Sequence, residues 1–508
     1  MDLLRVDVVK IINDAFAAAG ESVMPAEELI KAVKDDPAVW DLYAKGYTQG
    51  LNQCERPKTT QRVMQFKPQN TVELTAFVAG IRPGAKTLVD DLVMRRPHSY
   101  NIPSMDKLLK LDGATGVTGE SAFLLYDEQI LTLAKAAGID PGDAYLLIKH
   151  IKKKHHDEVA AYKKKFIPGF MAYLRGQEQA DSELAEKTAN DVWTVILNSA
   201  SYLFNASHAY AMALDSLYGA YLKAHHPYEF YQTMLELYAE KGNQEKVAAI
   251  VQEMHKYANI QLLPGRFGQD NRTWFVDKEN HTISQSLSSV KYISASDAKA
   301  LYDASQLNFE TFCDLLAYLQ TKTSINTRKI ETLIRINYFE RFGKAGKLLK
   351  IFNDFFDGEQ KMSKTLKSYQ ERLAKKKAAE SELADEPLPI VEQLRSEQEL
   401  LNMCYSVDPN APDMAYFVSE VDDKYGVKIS LYSICRGTSG VMKMRKEDYN
   451  SGSDLRNKAI LIYDWAQRQR CTWKDKRRIP IPDEYDNWLI SFELLDDNCQ
   501  RLENRKFR

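Results

Sequence analysis

The feature that most limits what this chain can fold into is a change of hydrophobic period along its length. Between Pro25 and about Ile260, apolar residues recur at spacings of three and four, the signature of amphipathic helices. Ala26 to Lys34, Gln129 to Ala137, Ala144 to Tyr173, Leu184 to Tyr202 and Ser207 to Lys223 all follow it, and Pro83-Gly84, Pro141-Gly142, Pro168-Gly169 and Pro227 punctuate them. Beyond Asp422 the period becomes two, in Val427 to Tyr432, Val441 to Arg445, Ala459 to Tyr463 and Trp488 to Leu494, with Gly437, Gly440 and Gly452 at turns. A mainly α multidomain chain ending in a small β-barrel is expected, and the OB-fold is the barrel that most often presents basic and aromatic residues to single strands.

The remaining segments fit between these. The first dozen residues, from Leu3 to Ile12, read as a short apolar strand running into a helix, with Asp7 inside the strand. After Leu263-Pro264-Gly265 come strand-like stretches, Thr273 to Val276 and His281 to Ser286, and then three or four short helices from Ala295 to Phe355. Residues 359–400 hold Lys375-Lys376-Lys377 and an acidic run with Pro387 and Pro389, the composition of an exposed linker. A length of 508 residues suits three or four domains at about 100 to 200 residues each.

Composition excludes several classes. With 44% hydrophobic and 27% charged residues the chain is neither collagenous nor low-complexity. No run approaches the roughly 18 apolar residues of a membrane span, and charges stand where a signal peptide needs its apolar core, so a cytoplasmic location is expected. Six scattered cysteines without a C-x-x-C pair indicate free thiols rather than a disulfide framework or zinc ribbon.

The net charge of −2 is unevenly spread. Residues 141–180 carry eight basic side chains against four acids, residues 465–480 six against one, and residues 378–400 one against seven. Lys149, Lys152 and Lys153 share one helix face, extended by Lys154, Lys163, Lys164 and Lys165; such ammonium groups pair with phosphates, and equally form ordinary solvated faces. Asn205 or Ser207 is placed to cap the helix that follows, leaving its first amides and His208 facing an anion; a capping or core histidine is the plainer reading. Arg82, in Ile81-Arg82-Pro83-Gly84, reads equally as a phosphate fork or a turn-stabilising arginine.

Taken in order, Tyr47-Thr48-Gln49-Gly50, Arg82-Pro83-Gly84, Tyr126-Asp127-Glu128-Gln129, Lys152-Lys153-Lys154, Phe204 to Ala211 and Tyr221 to Pro227 resemble the bacterial replicative DNA polymerase III alpha subunits, the C-family polymerases. The resemblance implies the end of a palm at 1–40, fingers at 41–262, a helix-hairpin-helix module at 263–358, a linker at 359–405 and an OB-like domain at 406–508. It implies a DNA-directed DNA polymerase that binds primer-template DNA and dNTP and uses two Mg2+ ions. Leu4 to Val9 resembles the palm strand that carries the third metal-binding aspartate, which assigns Asp7 as catalytic residue and metal ligand. The family's paired aspartates lie upstream of that strand, so a second polymerase chain bearing the rest of the palm is the expected partner, and the reading is of a split polymerase in a bacterial or virus-infected bacterial cell. The resemblance further implies that Arg82, Lys152, Lys153 and His208 hold the nucleotide. Lys149, Lys154, Lys163, Lys164, Lys165, Arg468, Arg470, Lys474, Arg477 and Arg478 are the DNA-binding candidates.

Three departures temper the resemblance. Ala206 stands where many members have Lys, and Tyr292 and Ser294 replace the hairpin glycines, which makes close approach to a DNA phosphate there doubtful. A sliding clamp as partner has no supporting peptide in the 359–400 segment. The runner-up reading is a catalytically inactive DNA-binding replication accessory. A helical RNA-binding protein with an OB-fold explains the charges but not the ordered blocks.

Overall fold

Helices account for most of the chain, as the period of three and four dictates. The computed structural model describes residues 7–81, 86–111, 121–199, 203–357, 362, 368–424, 426–450, 454–474 and 477–502. They form two units, Met1–Met234 and Leu235–Arg508.

The first unit runs through α1 (Asp7–Ala18), α2 (Ala26–Val33), α3 (Pro37–Lys45), α4 (Pro57–Phe66), α5 (Thr71–Gly80), α6 (Lys86–Val93), α7 (Pro103–Leu111), α8 (Asp127–Ala136), α9 (Pro141–Lys153), α10 (His156–Glu178), α11 (Ser182–Ser199) and α12 (Ala206–His225), with α13 (Pro227–Glu240) spanning the boundary. Buried residues of α7 to α11, with Phe166, Phe170 and Trp193 at the centre, make one core. Around α12 pack α1, α2, α3 and α5.

Three expectations for this unit need correction. Asp7 is the first residue of α1 and not part of a strand; residues 3–6 of the expected strand lie outside the described residues. The helical stretch read from Ala144 to Tyr173 is broken at a place the spacing did not mark, because Lys154 caps α9 in the left-handed region (φ 59°) and redirects the chain at His155. Pro168-Gly169, expected as a break, lies inside α10. Its glycine answers a packing need: a Cβ there would sit 1.8 Å from the carbonyl oxygen of Ala137, at the end of α8.

The second unit opens with α14 (Gln244–Ala258) and a small sheet of β1 (Gln261–Leu263), β2 (Phe275–Asp277) and β3 (Thr282–Ser284) in the order β1-β3-β2. Of the three or four short helices expected, four follow, α15 (Ala295–Ser305), α16 (Phe312–Lys322), α17 (Thr327–Arg335) and α18 (Ala345–Phe356), around a core rich in Leu, Ile and Phe. The acidic segment is less exposed than its composition suggests. It forms α19 (Tyr369–Glu382) and α20 (Ile390–Leu401), and two of its acids are buried. Glu380 accepts the amides of Phe312 and Cys313 at 2.8 and 2.9 Å, capping α16, and the buried Glu397 accepts the amides of Tyr405 and Ser406.

The barrel follows, with β4 (Ala415–Asp422), β5 (Val427–Ser433), β6 (Ser439–Met444), α21 (Lys446–Asn450), β7 (Ala459–Lys474) and β8 (Arg477–Leu495), closed in the order β4-β5-β6-β8-β7. Its third and fifth strands run parallel, its first and fourth antiparallel, and a helix lies between the third and fourth, an arrangement consistent with the expected OB-like barrel. β7 and β8 are much longer than expected. β7 meets β4 only over Ala459–Leu461 and β8 meets β6 at Trp488, so from Ala466 to Lys474 and Arg477 to Asn487 the two strands pair only with each other, as a two-stranded ribbon. All six cysteines are free, and no described helix is long and apolar enough to cross a membrane.

Candidate nucleotide and nucleic-acid interface

Helix α12 organises the first unit. Asn205 caps it, its side chain accepting the amide of His208 at 3.0 Å, which selects asparagine over Ser207 as the cap. Small buried residues, Ala209, Ala213, Ser216, Gly219 and Ala220, keep it slim enough to be surrounded by its neighbours, among them α5, a helix buried over nearly its whole surface. A Cβ on Gly219 would come within 2.8 Å of the carbonyl oxygen of Gly50, so this glycine permits contact with the Tyr47–Gly50 turn. Near the other end, Lys223 is fully buried. Its ammonium donates to the carbonyl oxygens of Tyr47 and Gln49 at 2.8 and 2.6 Å and lies over the rings of Phe230 and Tyr231. Lys223 thus fastens two of the ordered blocks together, a structural use of charge inside the unit.

The N-terminal end of α12 gathers the others. Phe204 bridges to Tyr126, the amide of Asp127 donating to the Phe204 carbonyl at 2.9 Å. Gln129, fully buried, accepts the amides of Leu125 and Tyr126 and donates to the carbonyl of Phe123, fixing the turn that leads into α8. Glu128 then reaches α12: one carboxylate oxygen accepts from the Asn205 side chain at 2.8 Å and the other from the amide of Ala206 at 2.9 Å. Asp127 takes the ammonium of Lys152 at 2.5 Å through one oxygen, while its other oxygen is buried without a hydrogen-bond partner. Segments 126–129 and 204–208 therefore meet with Lys152 at one place.

This geometry revises the expectation for the helix end. The first amides of α12 do not face open space for an anion, because Glu128 and Asn205 already engage two of them. An anion arriving there would have to displace Glu128, whose carboxylate is the natural occupant of a helix N-terminus. Sequence reasoning assigned Glu128 and Asp127 no role; the Gln129 side chain, which accepts the Tyr126 amide, holds their turn in place.

The predicted residues fall as follows. Lys152 is exposed but paired, whereas Lys153 and Lys154 are exposed beyond it. His208 is exposed on the first turn of α12 with its ring edge-on to Phe204, and Asp215, two turns further on, has its carboxyl pushed up by burial and held down in part by Asn52 and His208. Lys149 lies on α9 and Lys163, Lys164 and Lys165 on α10, all exposed, with Lys165 paired to Asp143 at 3.3 Å. Arg82 lies outside the described residues.

In the second unit the ribbon carries the remaining candidates. Arg468 stacks over Trp488 at 5.1 Å and Arg470 is exposed, with Tyr463, Trp465 and Tyr485 also exposed nearby in sequence on the same two strands. The side chains of Lys474, Arg477 and Arg478 lie outside the described residues. At the expected hairpin, Tyr292 adopts a left-handed φ of 68°, a position that favours glycine, and Arg328 covers its ring at 3.7 Å. Ser294 and Asp297 close a capping box on α15, and Asp297 is further paired with Lys329 at 2.7 Å, so this helix end is also satisfied from within.

Asp7 is half-buried at the start of α1. Among the described residues it joins no group of three side chains able to hold a metal ion. One carboxylate does not fit a two-ion centre, and the other ligands of such a centre would have to come from elsewhere.

Comparison with known proteins bears on the same segments. Residues 9–172 match the family model of the bacterial DNA polymerase III alpha subunit finger domain. The chain is 29% identical over 359 residues to DNA polymerase III subunit alpha of Thermus aquaticus, covering 69% of this chain and 28% of the relative. It is 30% identical over 330 residues to that of Aquifex aeolicus, covering 63% and 26%, and 26% identical over 531 aligned residues to that of Campylobacter jejuni, covering 99% and 40%. The chain spans well under half the length of these relatives. By these matches the chain is similar to part of the bacterial DNA polymerase III alpha subunits, their finger domain included.

Proposed function

We propose that this chain binds primer-template DNA and the incoming dNTP for replicative DNA synthesis, as the fingers-to-barrel portion of a DNA-directed DNA polymerase in the cytoplasm. The observation that carries the reading is the meeting of segments 126–129 and 204–208 with Lys152 at the start of α12, where that lysine and the exposed His208 stand at one helix end. In this reading Lys152, Lys153 and His208, with Arg82, hold the triphosphate by charge, and the nascent base pair rests against the α12 side. The basic faces of α9 and α10 and the arginines and aromatic rings of the β7–β8 ribbon take the DNA backbone and unpaired bases.

Two Mg2+ ions belong to the proposal, with Asp7 contributing one carboxylate and another polypeptide contributing the rest of the palm; no step is assigned through the ions. The test is primer extension. The purified chain should bind primer-template and fail to extend it, and should extend it once combined with a chain bearing the paired palm aspartates. Asp7→Asn in the combined enzyme should abolish extension while leaving DNA binding intact. Extension by the chain alone, or at the unmodified rate by Asp7→Asn, would overturn the arrangement.

A further inference from the structure

The bend between α9 and α10 brings together three side chains that neither the sequence motifs nor the proposed function uses. Lys154 closes α9 in the left-handed region, and the amide of His155 returns to the carbonyl oxygen of His150 at 3.0 Å. That turn folds the two imidazoles toward each other. Their Nδ1 atoms are 3.1 Å apart, with the rings tilted at 49° rather than stacked. Glu158, on the first turn of α10, presents Oε1 at 4.0 Å from the Nδ1 of His155, and one ligand atom from each of the three residues lies within 4.8 Å of the other two.

We propose that His150, His155 and Glu158 form a binding site for a divalent late transition metal, Zn2+ in the first instance. Tetrahedral zinc with bonds of about 2.0–2.1 Å to nitrogen separates two imidazole donors by about 3.3 Å, close to the spacing already present between the two rings. The carboxylate is farther out than coordination requires, and the Glu158 side chain is 51% exposed, so it can swing inward by rotation alone. Two imidazole nitrogens and one carboxylate oxygen form a donor set suited to zinc, copper or nickel, whereas Mg2+ and Ca2+ take oxygen ligands. The fourth position opens to solvent, where a water would complete the tetrahedron.

Without metal, two facing ring nitrogens can be satisfied only if one keeps a proton and donates it to the other. A metal ion takes the place of that shared proton, which moves to Nε2 of the same ring, so both imidazoles bind the ion as neutral Nε2–H tautomers. The ion would join the last turn of α9 to the first turn of α10 across the Lys154 bend. It would also place two positive charges beside Lys152, Lys153 and Lys154, a repulsion the three ligands have to offset.

The experiment titrates the full chain with Zn2+ by calorimetry, beside the variant His150→Ala/His155→Ala and the single variant Glu158→Gln. The unsubstituted chain should take up one Zn2+ more than the double variant, and Glu158→Gln should bind at that site at least tenfold more weakly. Circular dichroism checks that the exposed substitutions leave the fold intact. A second measurement needs no substitution: with one equivalent of Cu2+, electron paramagnetic resonance should count two imidazole nitrogens on the ion. Equal Zn2+ uptake by the unsubstituted chain and the folded double variant, or a Cu2+ spectrum with fewer than two imidazoles, would overturn the proposal.

Discussion

Replacing Gly169 by alanine tests how α10 is held against α8. The added methyl would sit 1.8 Å from the carbonyl oxygen of Ala137, 2.8 Å from its carbonyl carbon and 3.3 Å from its Cα. All three are backbone atoms at the end of a helix, and no side-chain rotation relieves the clash. Forcing an extra methyl into a packed contact costs about 1–3 kcal/mol and sometimes more, and a clash this short belongs at the upper end. Alanine returns up to about 1 kcal/mol through its better helix propensity, leaving a net loss of about 2 kcal/mol or more. Gly176 lies on the same helix and supplies the control, because a Cβ there meets nothing within 4 Å. Gly176→Ala should therefore stabilise by up to about 1 kcal/mol. At about 2–4 °C per kcal/mol for a unit of this size, Gly169→Ala should lower the melting midpoint by roughly 4–12 °C. Because the chain has two units, hydrogen exchange on peptides from α8 and α10 should accompany the melt, with faster exchange confined to the first unit. If Gly169→Ala melts with the unsubstituted chain, or if Gly176→Ala destabilises equally, the close-approach argument fails.

The other predictions concern charge. Replacing Lys152, Lys153 and Lys154 together by alanine should weaken DNA binding for all sequences alike and flatten the plot of log affinity against log salt by up to about 2.7 units of slope, with Lys152 contributing least because Asp127 already holds it; an unchanged slope would reduce the three to a solvated face. Glu128→Gln keeps an acceptor for the Ala206 amide but removes the negative charge, and in the combined enzyme should lower the apparent KM for dNTP about two- to fivefold; a raised KM would show that no phosphate competes for that helix end. Burial lowers the pKa of Lys246 on α14 to about 8. Its folded-state pKa lies below its unfolded value, so the unfolded chain binds more protons between pH 8 and pH 10.5, and in that window this group makes stability rise with pH by up to about 1.4 kcal/mol per unit. Comparing urea midpoints at pH 8 and pH 10, Lys246→Met should show a smaller rise than the unsubstituted chain, and an identical rise would refute the assignment.

Much of the helical framework and the existence of the barrel were legible in the sequence because both rest on local periods. What escaped notice depends on contacts distant in sequence. The bend at Lys154 carries neither glycine nor proline, so nothing local marks it. Pro168-Gly169 looks like a break, yet the glycine serves the approach of α8 and the helix runs on through it. At the candidate site, Asn205 as a cap was readable from its position before α12. Glu128 was not, because it reaches that cap from a segment far back in the chain. Composition misled most at 378–400: an acidic run suggests an exposed tether, but Glu380 and Glu397 spend their charge on backbone amides inside the second unit.

The length of the β7–β8 ribbon also carries a hazard for the protein's own solubility. Outside the closed barrel each of its strands offers one unpaired row of backbone donors and acceptors, the kind of edge on which a second copy can add a strand and begin an aggregate. The sequence blunts this in two ways. Pro480 and Pro482 each withdraw an amide donor from β8, and a register shift between Gln469 and Cys471 interrupts the regular ladder near the same level. Arg468 and Arg470 set like charges against any identical ribbon arriving edge to edge. The features that suit the ribbon to a polyanion thereby also keep it from pairing with itself.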